Sequence, residues 1–116
     1  MRYRVLITAR SFSQASPEPR EMLERAGCEL IWAPAGKSLN EAEMMALVPG
    51  VDGIIISADC ANSRVLAAAD QLKVISKHGV GLDNVDLQEA ARRNIVVTRA
   101  PGTNDAAVAE FTLGLL

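Results

Sequence analysis

The stretch Lys77-His78-Gly79-Val80-Gly81-Leu82-Asp83-Asn84 holds the residues best spaced for chemistry. Two glycines one residue apart let a backbone bend tightly and come close to a ligand, because neither carries a Cβ. Successive N–H groups in such a turn can converge on an anion, and Lys77 adds a positive charge beside them. A turn that binds nothing is an equal reading of a lone G-x-G. The dinucleotide fingerprint G-x-G-x-x-G would need a third glycine where Asn84 stands. His78 is the only histidine of the chain. General-base catalysis needs partners within hydrogen-bond reach, and no carboxylate is placed by sequence to orient this ring.

Other polar residues follow short apolar runs. Arg10 follows the first run and is a candidate anion contact, with a solvated loop arginine as the simpler reading. Asp59 follows the third. A phosphoacceptor aspartate of a receiver domain would come with an acidic pair after the first run, where Thr8, Ala9 and Arg10 stand instead. Cys60 has no evident base nearby and reads as a small buried residue. Asn104 is placed to cap a helix and to present its amide at an N-terminus that favours anions. Cys28 and Cys60 lie far apart in sequence, so neither a metal site nor a disulfide framework is expected. Their reduced state points to the cytoplasm.

These residues need a scaffold, and the hydrophobic pattern supplies one. Val5-Leu6-Ile7-Thr8, Leu30-Ile31-Trp32, Ile54-Ile55-Ile56-Ser57, Val74-Ile75-Ser76 and Ile95-Val96-Val97-Thr98 are short, apolar and rich in β-branched residues. Such runs suit strands covered on both faces. They recur roughly every 20–25 residues, enough for one crossover helix and two loops. Helix signals fill the gaps: Ser16-Pro17 as a start and Gly27 as a stop, Ser38 with Glu41 as a capping box, Asn62 or Ser63, Asp86, and Asn104. In the last helix Val108, Phe111 and Leu115 share a face. The expected fold is α/β: a flavodoxin-like open parallel five-stranded sheet, order 2-1-3-4-5, with helices on both faces. In such a sheet ligands bind outside the carboxyl ends of the strands.

The bulk composition agrees. The chain has 116 residues, 49% hydrophobic, with a net charge of −2, which fits one folded domain and argues against a nucleic-acid footprint. No apolar run reaches the roughly 18 residues of a membrane span. The sequence stops at Leu116 in mid-pattern, without a cap, a glycine stop or a polar tail. A chain cut from a longer protein is therefore the expectation.

Several segments in register resemble one enzyme family. Leu72-Lys73-Val74-Ile75, Gly79-Val80-Gly81-Leu82-Asp83-Asn84-Val85-Asp86, Ala90-Ala91-Arg92-Arg93-Asn94-Ile95-Val96-Val97, Ala100-Pro101-Gly102-Thr103-Asn104 and Val108-Ala109-Glu110 together are similar to the D-isomer-specific 2-hydroxyacid dehydrogenases, phosphoglycerate dehydrogenases among them. The resemblance implies that residues 1–116 are the N-terminal part of a substrate-binding (catalytic) domain. A Rossmann cofactor domain and a C-terminal completing segment would then lie outside it. It implies reversible hydride transfer between NAD or NADP and a small 2-hydroxy or 2-oxo acid, and a homodimer as the full-length protein. The family's catalytic arginine, acid and histidine have no counterpart here, so this portion alone is expected to be inactive and to bind no cofactor.

What carries over is binding. Gly79, Val80 and Gly81 correspond to the turn whose N–H groups hold the substrate carboxylate. Lys77 falls at an often basic position, and Asn104 at a polar position in the domain cleft. Asp105 falls where the family often has a hydroxyl near the cofactor, and its charge would oppose a cofactor phosphate. Phosphoglycerate-specific members tend to carry an arginine just after the third strand. Ile56, Ser57 and Ala58 stand there instead, so a charge-paired phosphate contact would be missing. An alternative class is a stand-alone flavodoxin-like domain that binds an anion or regulates another protein. Exposure of Val108, Phe111 and Leu115 would favour self-association of the portion through its last helix.

Overall fold

The computed structural model describes residues 2–9, 11–14, 16–34, 37–78, 81–100 and 105–116, with Ala100 and Asp105 described by backbone alone. Five strands alternate with five helices: β1 (Arg4–Ile7), α1 (Glu18–Arg25), β2 (Glu29–Trp32), α2 (Glu41–Leu47), β3 (Gly53–Ile56), α3 (Ser63–Ala68), β4 (Val74–His78), α4 (Leu87–Arg92), β5 (Val96–Ala100) and α5 (Asp105–Leu115). The sheet order is β2-β1-β3-β4-β5 and every pairing is parallel. This is the order expected from the sequence.

Both faces of the sheet are covered, which explains why the strands are apolar throughout rather than alternating. All four residues of β3 are buried. Leu6, Ile54, Ile56 and Ile75 enter the core beneath α2, α3 and α4. Val5, Ile7 and Ile55 enter the opposite core with Phe12, Leu23, Val108 and Ala109 from the α1 and α5 side. The edge strand β2 is only partly covered, and Trp32 is exposed.

Three local expectations shift. The capping box of α2 is Asn40 with Glu43, not Ser38 with Glu41: Asn40 Oδ1 accepts from Glu43 N at 2.9 Å and Glu43 Oε1 accepts from Asn40 N at 3.0 Å. The box falls two residues later because Leu39 is buried and its N–H donates to Asp59 Oδ1 at 2.7 Å. Helix α1 starts at Glu18, with Ser16 Oγ accepting its N–H at 3.2 Å. Gly27 ends it as expected, at φ 90°, where a Cβ would be strained.

The third shift concerns α5. Its buried face is Val108, Ala109 and Thr112, while Phe111 and Leu115 are exposed. A threonine goes inside because its hydroxyl is satisfied there. Thr112 Oγ1 donates to Val108 O at 2.8 Å and lies 2.9 Å from Ser76 Oγ. Thr98 Oγ1 donates to Ser76 Oγ at 3.3 Å. With Thr112 donating to Val108, the proton between Ser76 and Thr112 must belong to Ser76, so the hydroxyls form one directed chain from β5 through β4 to α5.

Candidate functional site

The carboxyl ends of the strands carry most of the polar side chains that reach between elements. β4 ends in Lys77 and His78, and the chain then enters the glycine turn. Lys77 is buried. Its ammonium donates to Ser57 O, in the loop after β3, and to Asn84 Oδ1 at 2.9 Å. Burial lowers its pKa from the usual 10.5, while Asp59 and Asp83 pull the other way.

Asn84 completes a knot. Its Nδ2 donates to Ser57 O at 2.8 Å and to Asp59 O at 2.7 Å. Its own carbonyl accepts Ala61 N at 2.9 Å, and Asp86 N returns a bond to Ala61 O at 3.0 Å. The buried Asp59 carboxylate accepts Leu39 N at 2.7 Å and Ser57 N at 3.4 Å. The loops after β2, β3 and β4 are thereby tied into one body. A buried aspartate engaged in this way is a structural group, unlike the exposed phosphoacceptor of a receiver domain. Cys60, expected to be buried, is partly exposed; its N–H joins the same assembly through Leu39 O at 3.0 Å.

The glycine turn leaves this knot at Gly81. A Cβ built at Gly81 would meet nothing within 4 Å, and its N–H has no hydrogen-bond partner among the described residues. Gly79, Val80, Asn104 and Arg10, singled out from sequence, lie outside the described residues, as does the side chain of Asp105. Of the proposed binding residues, the structure therefore describes Lys77, within β4, and Gly81, in the loop that follows it.

The loop after β1 closes the site on its other side. Thr8 N and Ala9 N both donate to Ile55 O, at 3.0 and 3.3 Å, and Phe12 N donates to Ala9 O at 3.0 Å. Phe12 is buried, with its ring edge-on to His78 at 6.3 Å between centroids. Ser11 Oγ lies 3.1 Å from His78 Nδ1. Next to Ser11 a polar cavity of about 170 Å³ opens, lined by Thr8, Ser11, Lys37, Ser38, Ser57 and Asp59. The sequence signal missed Ser11, Ser57 and Asn84 as site-building groups. Serine and asparagine are common in turns, and nothing in their spacing sets these apart.

In the first β–α turn, where a Rossmann domain offers N–H groups to a pyrophosphate, the Thr8 and Ala9 N–H groups donate to Ile55 O and that of Phe12 to Ala9 O. Among the described residues no group of three His, Cys, Asp or Glu side chains is gathered to hold a metal ion, and no helix is long and apolar enough to cross a membrane.

The sequence profile of the D-isomer specific 2-hydroxyacid dehydrogenase catalytic domain matches residues 5–113. The chain is 34% identical over 116 residues to D-3-phosphoglycerate dehydrogenase of Synechocystis sp., covering 96% of this chain and 21% of that protein. It is 37% identical over 79 residues to hydroxypyruvate reductase of Thermotoga maritima, covering 67% of this chain and 26% of that protein. The fold superposes, with a TM-score of 0.76, on the crystal structure of NAD+-bound 3-phosphoglycerate dehydrogenase of Entamoeba histolytica, at 28% identity over 98% of this chain and 38% of the other. The chain thus spans about a fifth to two fifths of the length of these relatives. With its sheet order and this match along almost the whole length, the chain belongs to the D-isomer specific 2-hydroxyacid dehydrogenase family of oxidoreductases.

Proposed function

We propose that this chain is the substrate-binding part of a longer NAD(P)-dependent dehydrogenase that interconverts a 2-hydroxy acid and a 2-oxo acid, as phosphoglycerate dehydrogenases do. The observation that carries this reading lies beyond β4, where Gly81 has an open flank and an N–H without a partner among the described residues while the neighbouring loops are tied together by Lys77, Asn84 and Asp59. An anion cradle must be held still to be worth more than water, and a braced loop costs little to order on binding.

In this reading the N–H groups of Val80 and Gly81, with Gly79 setting the bend, hold the substrate carboxylate. Lys77 supplies positive charge from below. Asn104 faces the cleft, and Asp105 stands near the cofactor without touching its phosphates. NAD or NADP belongs to a separate domain, together with the groups that move the hydride and the proton. The family-level role assigned to this chain is binding and orientation. The full enzyme is a cytoplasmic homodimer.

The test is an assay of two proteins. The purified 116 residues alone should turn over no 2-oxo acid with NADH or NADPH. The full-length gene product should reduce at least one of glyoxylate, pyruvate and hydroxypyruvate. Turnover by the isolated chain, or no turnover of any 2-oxo acid by the full-length protein, would overturn the proposal.

A further inference from the structure

We propose that Ser11 is a specificity-determining residue of this site: it hydrogen-bonds a polar group on C3 of the substrate, so that a 2-oxo acid with a C3 hydroxyl is preferred to one with a bare C3 methyl. The inference rests on the substrate-site reading above and extends it to the non-reacting end of the substrate.

β1 and β4 are separated by β3, about 10 Å at two strand spacings. Ser11 still reaches His78, because the loop after β1 lies across the end of β3. Thr8 N and Ala9 N pin the loop to Ile55 O, and the buried Phe12 anchors it from beneath. The hydroxyl at 3.1 Å from His78 Nδ1 therefore sits beside the residue that immediately precedes the glycine turn. His78 acts as a positioning residue: its ring, set edge-on against Phe12, holds the Ser11 hydroxyl in place.

Ser11 also lines the polar cavity beside this loop. The described residues that line it are all polar. Thr8 Oγ1 is committed to Ile55 O at 3.3 Å, and the Asp59 carboxylate to Leu39 N and Ser57 N. The Lys37 ammonium is paired with Glu43 Oε1 at 3.3 Å, and Ser11, Ser38 and Ser57 also line the space. A space of about 170 Å³ holds roughly six waters at ~30 Å³ each, which suits a small substituent. A methyl group placed there would displace water without replacing its hydrogen bonds, and that loses affinity. A hydroxyl replaces them.

The experiment compares hydroxypyruvate with pyruvate in the full-length enzyme. The wild type should show a kcat/KM ratio of tenfold or more in favour of hydroxypyruvate. Ser11→Ala should lower that ratio about five- to tenfold, and Ser11→Thr, which keeps the hydroxyl, should retain most of it. His78→Phe keeps a ring against Phe12 but removes the nitrogen, and should lower the ratio part of the way. A ratio that Ser11→Ala leaves unchanged, or that Ser11→Thr lowers as far as alanine does, overturns the inference alone. Absence of turnover with both acids overturns the inference, and absence of turnover with every 2-oxo acid overturns the substrate-site reading with it.

Discussion

Asn84 shows how much one side chain can determine. Its amide donates to two carbonyls of the loop after β3 and accepts from Lys77. Removing it takes a donor from Asp59 O and an acceptor from the Lys77 ammonium, and such a loss costs ~1–3 kcal/mol. Asn84→Ala should destabilise the chain by about 2 kcal/mol in urea unfolding, and the amides of residues 57–61 should exchange faster. Asn84→Asp should be worse, since it turns two donors into an acceptor facing carbonyls. Lys77 adds a pH signature. Burial holds its folded pKa below 10.5, so between the lowered value and 10.5 the unfolded chain binds more protons. Stability contributed through this group must then rise with pH across that window. The wild type should gain stability relative to Lys77→Met as pH is raised toward 10.5, and a difference that stays flat would exclude the coupling. The Cys28 thiol is pushed up by burial, which makes it a poor nucleophile and a packing residue.

At the scale of elements, the placement of α2 and α5 is the informative part. The capping box of α2 predicts that Asn40→Ala costs ~1 kcal/mol while Ser38→Ala costs far less, as thermal or urea unfolding would show. Equal losses would return the cap to Ser38. α5 approaches the sheet closely at Gly53, where a Cβ would lie 3.2 Å from Val74 Cγ1 and 3.5 Å from Thr112 Cγ2. Gly53→Ala should therefore cost ~1–3 kcal/mol by overpacking. The hydroxyl chain Thr98–Ser76–Thr112 fixes the rotation of α5 about its own axis. Thr112→Val keeps the volume but breaks the chain, and should cost about 1 kcal/mol.

At the scale of the whole molecule, that same rotation sends Phe111 and Leu115 outward, at 45% and 37% exposure. Two large apolar side chains one helical turn apart form a strip that water solvates poorly. The isolated 116 residues should associate with rising concentration in sedimentation velocity, and Phe111→Ser with Leu115→Ser should suppress it. A strict monomer at high concentration would count against association through α5. The body behind the strip should remain intact in the double variant, because neither residue belongs to either core.

The strand order was an expectation that the structure bore out, while the sequence by itself determined the element order, the parallel sheet and the family. These follow from signals local in the chain: β-branched runs at a regular interval, caps between them, and five short motifs in register. Lys77 was singled out by its place beside the glycine pair, but its burial and its bonds to Ser57 O and Asn84 Oδ1 were not. Tertiary structure decided which side chains act together. Asn84 meets Ser57 and Asp59 only because β3 and β4 are neighbours, and Ser11 meets His78 only because a loop crosses the end of β3. The buried face of α5 was likewise undecidable from periodicity. Thr112 counts as polar in any pattern, yet it is buried because Ser76 and Val108 O satisfy its hydroxyl. Hydrogen bonds between residues distant in the chain leave no mark on its hydrophobic period, and that is where sequence and structure part.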